Sequence, residues 1–259
     1  MSESTLPMPV PSFAEACHRG LVREENQDSV SHVAAPMGEL VVVADGIGGY
    51  RGGGTASRIV VETFASWVSA QDPNYSAARA IAEAAAQANT NIRETAASGE
   101  PAYRQMGSTV VLALITQEKH ETLAWIGHIG DSRAYLARAG ILSRLTRDHS
   151  AVQALIDRNE VSPENARSHP QASVLTRSLG HQPEVEIEIT MTPIEAGDSL
   201  LLCSDGLWGF VPEQAIAAVL TNPQIAPEAI ADQLLRLALQ AGGHDNIGIE
   251  VVRYTSPIA

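Results

Sequence analysis

The feature that most restricts the fold lies between residues 107 and 145. Four short segments, GSTVVLALIT (107–116), TLAWIGHI (122–129), RAYLAR (133–138) and ILSRL (141–145), follow one another with five or fewer residues between them. Each is apolar or β-branched and too short for a helix, so each reads as a strand. Parallel neighbours need a crossover of a dozen residues or more, and the gaps leave no room for one. The spacing predicts an antiparallel meander, with Ala139-Gly140 as a tight hairpin turn.

Helical spacing flanks this run. Ala56, Val60, Phe64 and Trp67, with Val61 and Val68 beside them, mark a helix of about four turns from Thr55. The alanine-rich stretch 76–97 sets Ile81, Ala85, Ala88 and Ile92 on one stripe of a second helix. Further helices are read at 212–220 and 227–241. Buried strands are read at 40–44 and 199–204, a half-exposed one at 185–190, a closing one at 246–253, and short ones on either side of REENQD. Helices come in pairs with strands between them, so the predicted class is α+β, two antiparallel sheets with helix layers outside. Residues 147–180 are polar, with a short helix at 150–158, and read as a mobile excursion.

Nothing along the 259 residues resembles a linker, so a single domain over 15–255 is expected behind a flexible, proline-rich arm over 1–14. MSESTLPMPVPSF lacks a basic region followed by an apolar core, unlike a secretory leader. No apolar run approaches the ~20 residues that span a bilayer. Aromatics are only 4% against 44% hydrophobic residues, so Ala, Val, Ile and Leu must build the core. A net charge of −13 excludes the basic footprint of a nucleic-acid binder and disfavours an anionic membrane. Cys17 and Cys203 form no CxxC pattern and read as reduced thiols of a cytoplasmic protein.

Four aspartates share a context. Asp45 follows the 40–44 strand in VVVADGIGG, and Asp205 follows the 199–204 strand in LLLCSDGLWG. Asp131 breaks two strands in WIGHIGDSRAY, and Asp245 precedes the last strand in GGHDNIGIEVV. Singly, each is more often a turn residue. Together at one rim they repel, by about 4 kcal/mol for a pair about 4 Å apart at an effective dielectric of 20. Hard divalent cations remove that cost, and oxygen-only ligands select magnesium or manganese over zinc. Neighbouring glycines let the backbone approach closely enough for a carbonyl to serve as a ligand. The glycine cluster fails as a phosphate loop, because Thr55 stands where GxxxxGK[ST] needs lysine. It fails as a dinucleotide fingerprint because Arg51 takes the third glycine position. Upstream, GLVREENQDS offers Arg23 and Asp28. Such a run is by default a solvated charged stretch, but a guanidinium beside a metal cluster suits a phosphoryl group.

In the order GLVREENQDS, VVVADGIGG, GSTVVLALI, IGHIGDSRAYLAR, LTRDHS, VLTRSLG, LLLCSDGLWGFV and GGHDNIGIEVV, the chain resembles the metal-dependent serine/threonine protein phosphatases of type 2C in their compact bacterial form, over roughly residues 15–253. The resemblance implies a four-layer α/β/β/α sandwich with a two-metal centre of Mn²⁺ or Mg²⁺ and a looser third ion. It implies that Asp45 bridges both metals, the Gly46 carbonyl completes the first site, and Asp205 and Asp245 hold the second. Asp131 would bind the third with Asp205, Asp28 would orient the attacking water, and Arg23 would grip the substrate phosphate. Residues 147–180 would form a flap. Two departures stand out. The family's acidic pair is Gln27-Asp28 here, and Tyr50 occupies the position, five residues after Asp45, where bacterial members carry a histidine assigned as general acid. A phenol with pKa near ~10 is a weaker acid than imidazolium, so the general acid is left unassigned.

The implied reaction is one-step hydrolysis of phosphoserine or phosphothreonine in proteins by a metal-bridging hydroxide, reversing a cognate Ser/Thr kinase, in a cytoplasmic monomer. A catalytically silent module that binds phosphoproteins would be favoured only by loss of the metal aspartates, and all are present. A two-metal phosphodiesterase or nuclease is disfavoured by the −13 charge.

Overall fold

The computed structural model describes residues 9–48, 51–167 and 169–256. Strands β1 (Val10–His18), β2 (Asp28–Ala35) and β3 (Gly38–Ile47) precede helices α1 (Gly52–Ser69) and α2 (Ala77–Ala96) and a single 3-10 turn at Pro101–Tyr103. Next come β4 (Gly107–Ser108), β5 (Val110–Glu118), β6 (Glu121–Ile129), β7 (Arg133–Arg138) and β8 (Ile141–Arg144). Short helices α3 (Ala151–Asp157) and α4 (Pro163–Ala166) lead to β9 (Glu188–Ile194) and β10 (Ser199–Cys203). Helices α5 (Asp205–Trp208), α6 (Glu213–Leu220) and α7 (Pro227–Gln240) and strand β11 (Ile247–Thr255) close the chain.

One sheet has the order β1-β11-β10-β7-β8, the other β2-β3-β5-β6-β9 with β4 added beside β3, and every pairing is antiparallel. Alternation along the strands explains the layers, because successive side chains point to opposite faces. In β3, Val41 and Val43 join Val111, Ala113 and Ile126 against Ala134, Leu136, Leu200, Leu202 and Val252 of the other sheet. Leu40, Val42 and Ala44 point the other way, onto Val60, Phe64, Ile81 and Ala88 of the first helix pair. Leu201, Cys203, Ile249 and Val251 meet Ile216, Ile230 and Leu234 of the second. Strands buried on both faces read as continuous apolar runs, and three stacked cores make the expected α/β/β/α sandwich.

Three details depart from the sequence reading. The expected meander is two hairpins: β5–β6 lies in one sheet and β7–β8 in the other, so the chain changes sheets at Gly130–Ser132. Gly130, with φ +101°, supplies that corner. Residues 10–14 of the expected arm belong to β1, paired from Val10↔Thr255 to His18↔Ile247, while residues 1–8 lie outside the described residues. Pro11 is tolerated there because β1 is an edge strand. The strand expected at 185–190 runs over Glu188–Ile194 instead.

Candidate metal centre

Asp45 does not end its strand. It lies within β3, opposite Asp28 of β2, and the strand continues two residues further because Gly46 and Ile47 pair with Ser108 and Gly107 of β4. Thr109 fixes the Asp45 backbone from both sides. Its amide donates to the Asp45 carbonyl at 2.9 Å, and its Oγ1 accepts from the Asp45 N–H at 3.0 Å. The same hydroxyl lies 2.7 Å from Ser132 Oγ, beside Asp131, so one threonine ties two of the acidic loops together. Asp205 follows strand β10, as expected, and opens the short helix α5.

Asp45, Asp131 and Asp205 line one cavity of about 310 Å³, with Ile47, Thr109, Ser173, Leu175, Ser178 and His181. Asp28 stands behind Asp45, buried, with Oδ2 accepting a 2.6 Å bond from Ser204 Oγ. Its other oxygen, Oδ1, is buried without a donor. Asp245 is paired with the Arg23 guanidinium at 2.7 Å. Gly46 is buried, and its N–H donates to the Gln27 carbonyl at 3.1 Å.

Two glycines show why the acidic turns need them. A Cβ on Gly206 would stand 1.8 Å from the Asn246 carbonyl oxygen, and one on Gly46 would stand 2.0 Å from the Gly53 oxygen. Glycine thus admits the backbone of a second loop, bringing Asp205 beside the Asp245 turn and Asp45 beside the start of α1. Asn246 completes the assembly. Its Nδ2 donates to the carbonyls of Arg19 and Glu25, each at 2.9 Å, and its Oδ1 accepts from Gln27 N–H at 2.8 Å, which holds the Arg23 loop over the site.

The electrostatics follow from this crowding. Burial pushes Asp28 up to about 7, opposed by the Ser204 bond and reinforced by the charges of Asp205 and Asp245. Burial, then Asp28, Asp205 and Asp131, hold Asp45 well above the usual carboxylate range. Asp131 is raised well above it by burial and by Asp205 and Asp148. Burial and Asp245 bring Asp205 to about 6, with Arg23 and Arg133 opposing. Among the described residues, no lysine or arginine lines the cavity to neutralise these acids. Carboxylates that raise one another's pKa around a cavity, and one buried oxygen without a donor, fit hard divalent cations bound through oxygen.

A second cluster behaves differently. Ligand atoms of His128, His149 and Glu188 lie within 4.8 Å of one another. His149 Nδ1 accepts from the Gly130 N–H at 3.1 Å, the His149 backbone N–H donates to the Gly130 carbonyl at 2.8 Å, and Nε2 lies 3.2 Å from Glu188 Oε2. His128 Nε2 lies 2.9 Å from the Arg147 carbonyl, and its ring stacks on His149 with 4.5 Å between centroids. Nδ1 of His149 is an acceptor, so its Nε2 carries the proton and is no cation ligand. The cluster clamps the corner that delivers Asp131. Arg133 performs a parallel task, forked onto Asp148 at 2.9 and 2.6 Å and lying 3.5 Å over the Trp208 ring of α5.

The seven residues singled out in the sequence are thus gathered around one cavity and its margin. Tyr50 lies outside the described residues. Thr109, Asn246, His149 and His181 were not singled out, and loop polar residues carry no periodic signal that marks them.

The chain belongs to the protein phosphatase 2C family, whose sequence profile matches residues 18–236. It is 38% identical over 240 residues to the serine/threonine protein phosphatase PstP of Mycobacterium tuberculosis, covering 92% of this chain but only 44% of that protein. It is 34% identical over 246 residues to the serine/threonine phosphatase stp of Listeria monocytogenes, covering 90% of this chain and 92% of that one. The fold superposes with a TM-score of 0.84, at 34% identity, on the catalytic domain of PstP in complex with two manganese ions, covering 96% of this chain and 100% of that one.

Proposed function

We propose that this chain hydrolyses phosphoserine and phosphothreonine esters in proteins with Mn²⁺ or Mg²⁺ as cofactor, reversing a partner Ser/Thr kinase as a cytoplasmic monomer. The carrying observation is that Asp45, Asp131 and Asp205, from three distant parts of the chain, line one cavity in which, among the described residues, no lysine or arginine takes part. Asp45, Gly46, Asp205 and Asp245 would hold the two core cations, and Asp131 with Asp205 a third. When bound, the cations supply Lewis acidity that brings water ionisation toward neutral pH and offsets the phosphoryl charge. Arg23, on an exposed loop anchored by Asn246, offers its planar fork to two phosphate oxygens. Asp28, whose Oδ1 no protein donor occupies, would orient the attacking water. Residues 147–180, carrying Ser173 and Leu175 into the cavity wall, form the flap over the substrate.

The relatives support this reading, since PstP and stp are both serine/threonine phosphatases by name and PstP is known with two manganese ions. Among the described residues no helix is long and apolar enough to cross a membrane. The test is turnover of p-nitrophenyl phosphate and of a phosphoserine peptide with Mn²⁺, with and without EDTA. Loss of turnover on chelation, restored by Mn²⁺ or Mg²⁺, is expected; full turnover after chelation would reject the reading.

A further inference from the structure

A serine alkoxide is a strong base, and its departure from phosphorus at neutral pH needs a proton delivered as the bond breaks. The cavity wall limits the candidates. Its aspartates act as cation ligands in the proposed reaction, and Ile47, Thr109, Ser173, Leu175 and Ser178 offer only alkyl groups or weakly acidic hydroxyls. Among the described residues, the remaining lining side chain is His181, and imidazole is the group most often used to pass a proton in general acid–base catalysis.

We propose that His181 is the proton donor to the leaving oxygen, with Ser178 orienting its ring; this rests on the phosphatase reading above. His181 Nδ1 lies 2.6 Å from Ser178 Oγ, and Nε2 lies 3.3 Å from the Gln105 carbonyl. A carbonyl accepts only from N–H, so Nε2 carries a proton, and the charged ring carries a second on Nδ1 toward Ser178. The frame is firm on both sides. Asn89, buried in α2, accepts from the Gly180 N–H at 2.7 Å and donates to the Gln182 and Pro183 carbonyls at 3.0 and 3.2 Å. Leu179 and Ser108 exchange backbone bonds of 2.9 and 3.1 Å.

The ring is also placed by what it packs on. A Cβ on Gly107 would come within 2.5 Å of His181 Cε1, so glycine there makes room for the imidazole. The Gln105 carbonyl that His181 meets is the group against which Gly48 packs, where a Cβ would lie 3.2 Å away. His181 therefore stands on the rim by which β3 leaves Asp45, and its outer edge is exposed to solvent. In the step, the bond between phosphorus and the substrate oxygen breaks as one forms to the water oxygen. The imidazolium proton passes to the departing alkoxide, directly or through the Ser178 hydroxyl. Water's proton leaves to solvent, which recharges the exposed ring.

The test compares two leaving groups in the Mn²⁺-loaded protein. A nitrophenolate departs without a proton, whereas a serine alkoxide does not. His181→Gln is expected to widen the ratio of the p-nitrophenyl phosphate rate to the phosphoserine-peptide rate by about 10²-fold, the usual worth of a positioned acid. Ser178→Ala is expected to widen it in the same direction and by less. An unchanged ratio in His181→Gln, whether both rates fall together or neither falls, would overturn the proposal. So would a widened ratio in Tyr50→Phe with none in His181→Gln. If the wild-type protein turns over neither substrate, the phosphatase reading fails and takes this proposal with it.

Discussion

Two clusters of titratable groups lie close together in this molecule and have opposite characters. Around His149, each group has a partner: the Gly130 peptide is clasped through both its N–H and its carbonyl, Glu188 meets Nε2, and His128 meets the Arg147 carbonyl. Around Asp45, acids face acids, Asp28 Oδ1 meets no donor, and the pKa values of four aspartates are driven up. A satisfied polar network rigidifies the fold, whereas an unsatisfied one stores free energy that a ligand can release. The difference separates scaffold from site more sharply than proximity of donor atoms does, since the histidine cluster has the tighter set of candidate ligand atoms.

The largest effect that sharpens this contrast comes from the acidic side. Asp205→Asn is expected to lower kcat/KM on a phosphoserine peptide on the order of 10³-fold, as loss of a centre for developing charge does. In EDTA the same substitution relieves repulsion with Asp245, the main charge acting on Asp205. Its thermal midpoint should therefore rise by roughly 3 °C, the shift that about 1 kcal/mol gives in a chain of this size. A variant that loses both activity and stability would show that the acids serve the fold rather than a ligand.

His149→Ala carries the opposite expectation. It strands the Gly130 N–H and a half-exposed Glu188, and should cost about 2–3 kcal/mol, seen as a drop in thermal midpoint of roughly 6–9 °C. Zinc should not raise the midpoint of the wild-type protein through this cluster. A zinc-dependent rise that His149→Ala abolishes would break the comparison, making the cluster a ligand site after all.

Much of this was legible in the residues. The runs at 40–44 and 199–204 are apolar without alternation because each strand is covered on both faces, by the other sheet and by helices. The glycine-flanked aspartates stand out in the sequence because the same local context recurs at four distant places. The change of sheet at Asp131 was not legible, since periodicity reports which face a residue takes and says nothing of which strand lies beside it. Nor was the continuation of β3 past Asp45, which depends on β4, a two-residue strand too short to carry a pattern. Edge strand β1 looked like an arm because Pro11 and small residues mark loops as readily as sheet margins. Asn246 and His149 act through single hydrogen bonds to backbone, a role set by tertiary approach alone.

A further buried acid tests whether burial beside a single acidic neighbour holds a proton on a carboxylate, and its effect is the smallest. Glu250 lies in β11, fully buried, opposite Glu15 of β1. Burial, with Glu15 adding, pushes it from the ordinary 4.5 up to about 9. Between those values the folded chain keeps a proton that the unfolded chain has released, so stability falls as pH rises through the window and levels off outside it. Glu250→Gln removes the titrating group while keeping its shape. The variant should gain in thermal midpoint over wild type on going from pH 6 to pH 7 by roughly 4 °C, with phosphatase turnover unmoved, because each pH unit in the window is worth at most ~1.4 kcal/mol. Parallel midpoint curves for the two proteins would mean that Glu250 stays charged in the fold, and that burial beside one acidic neighbour is too weak to hold a proton on a carboxylate there.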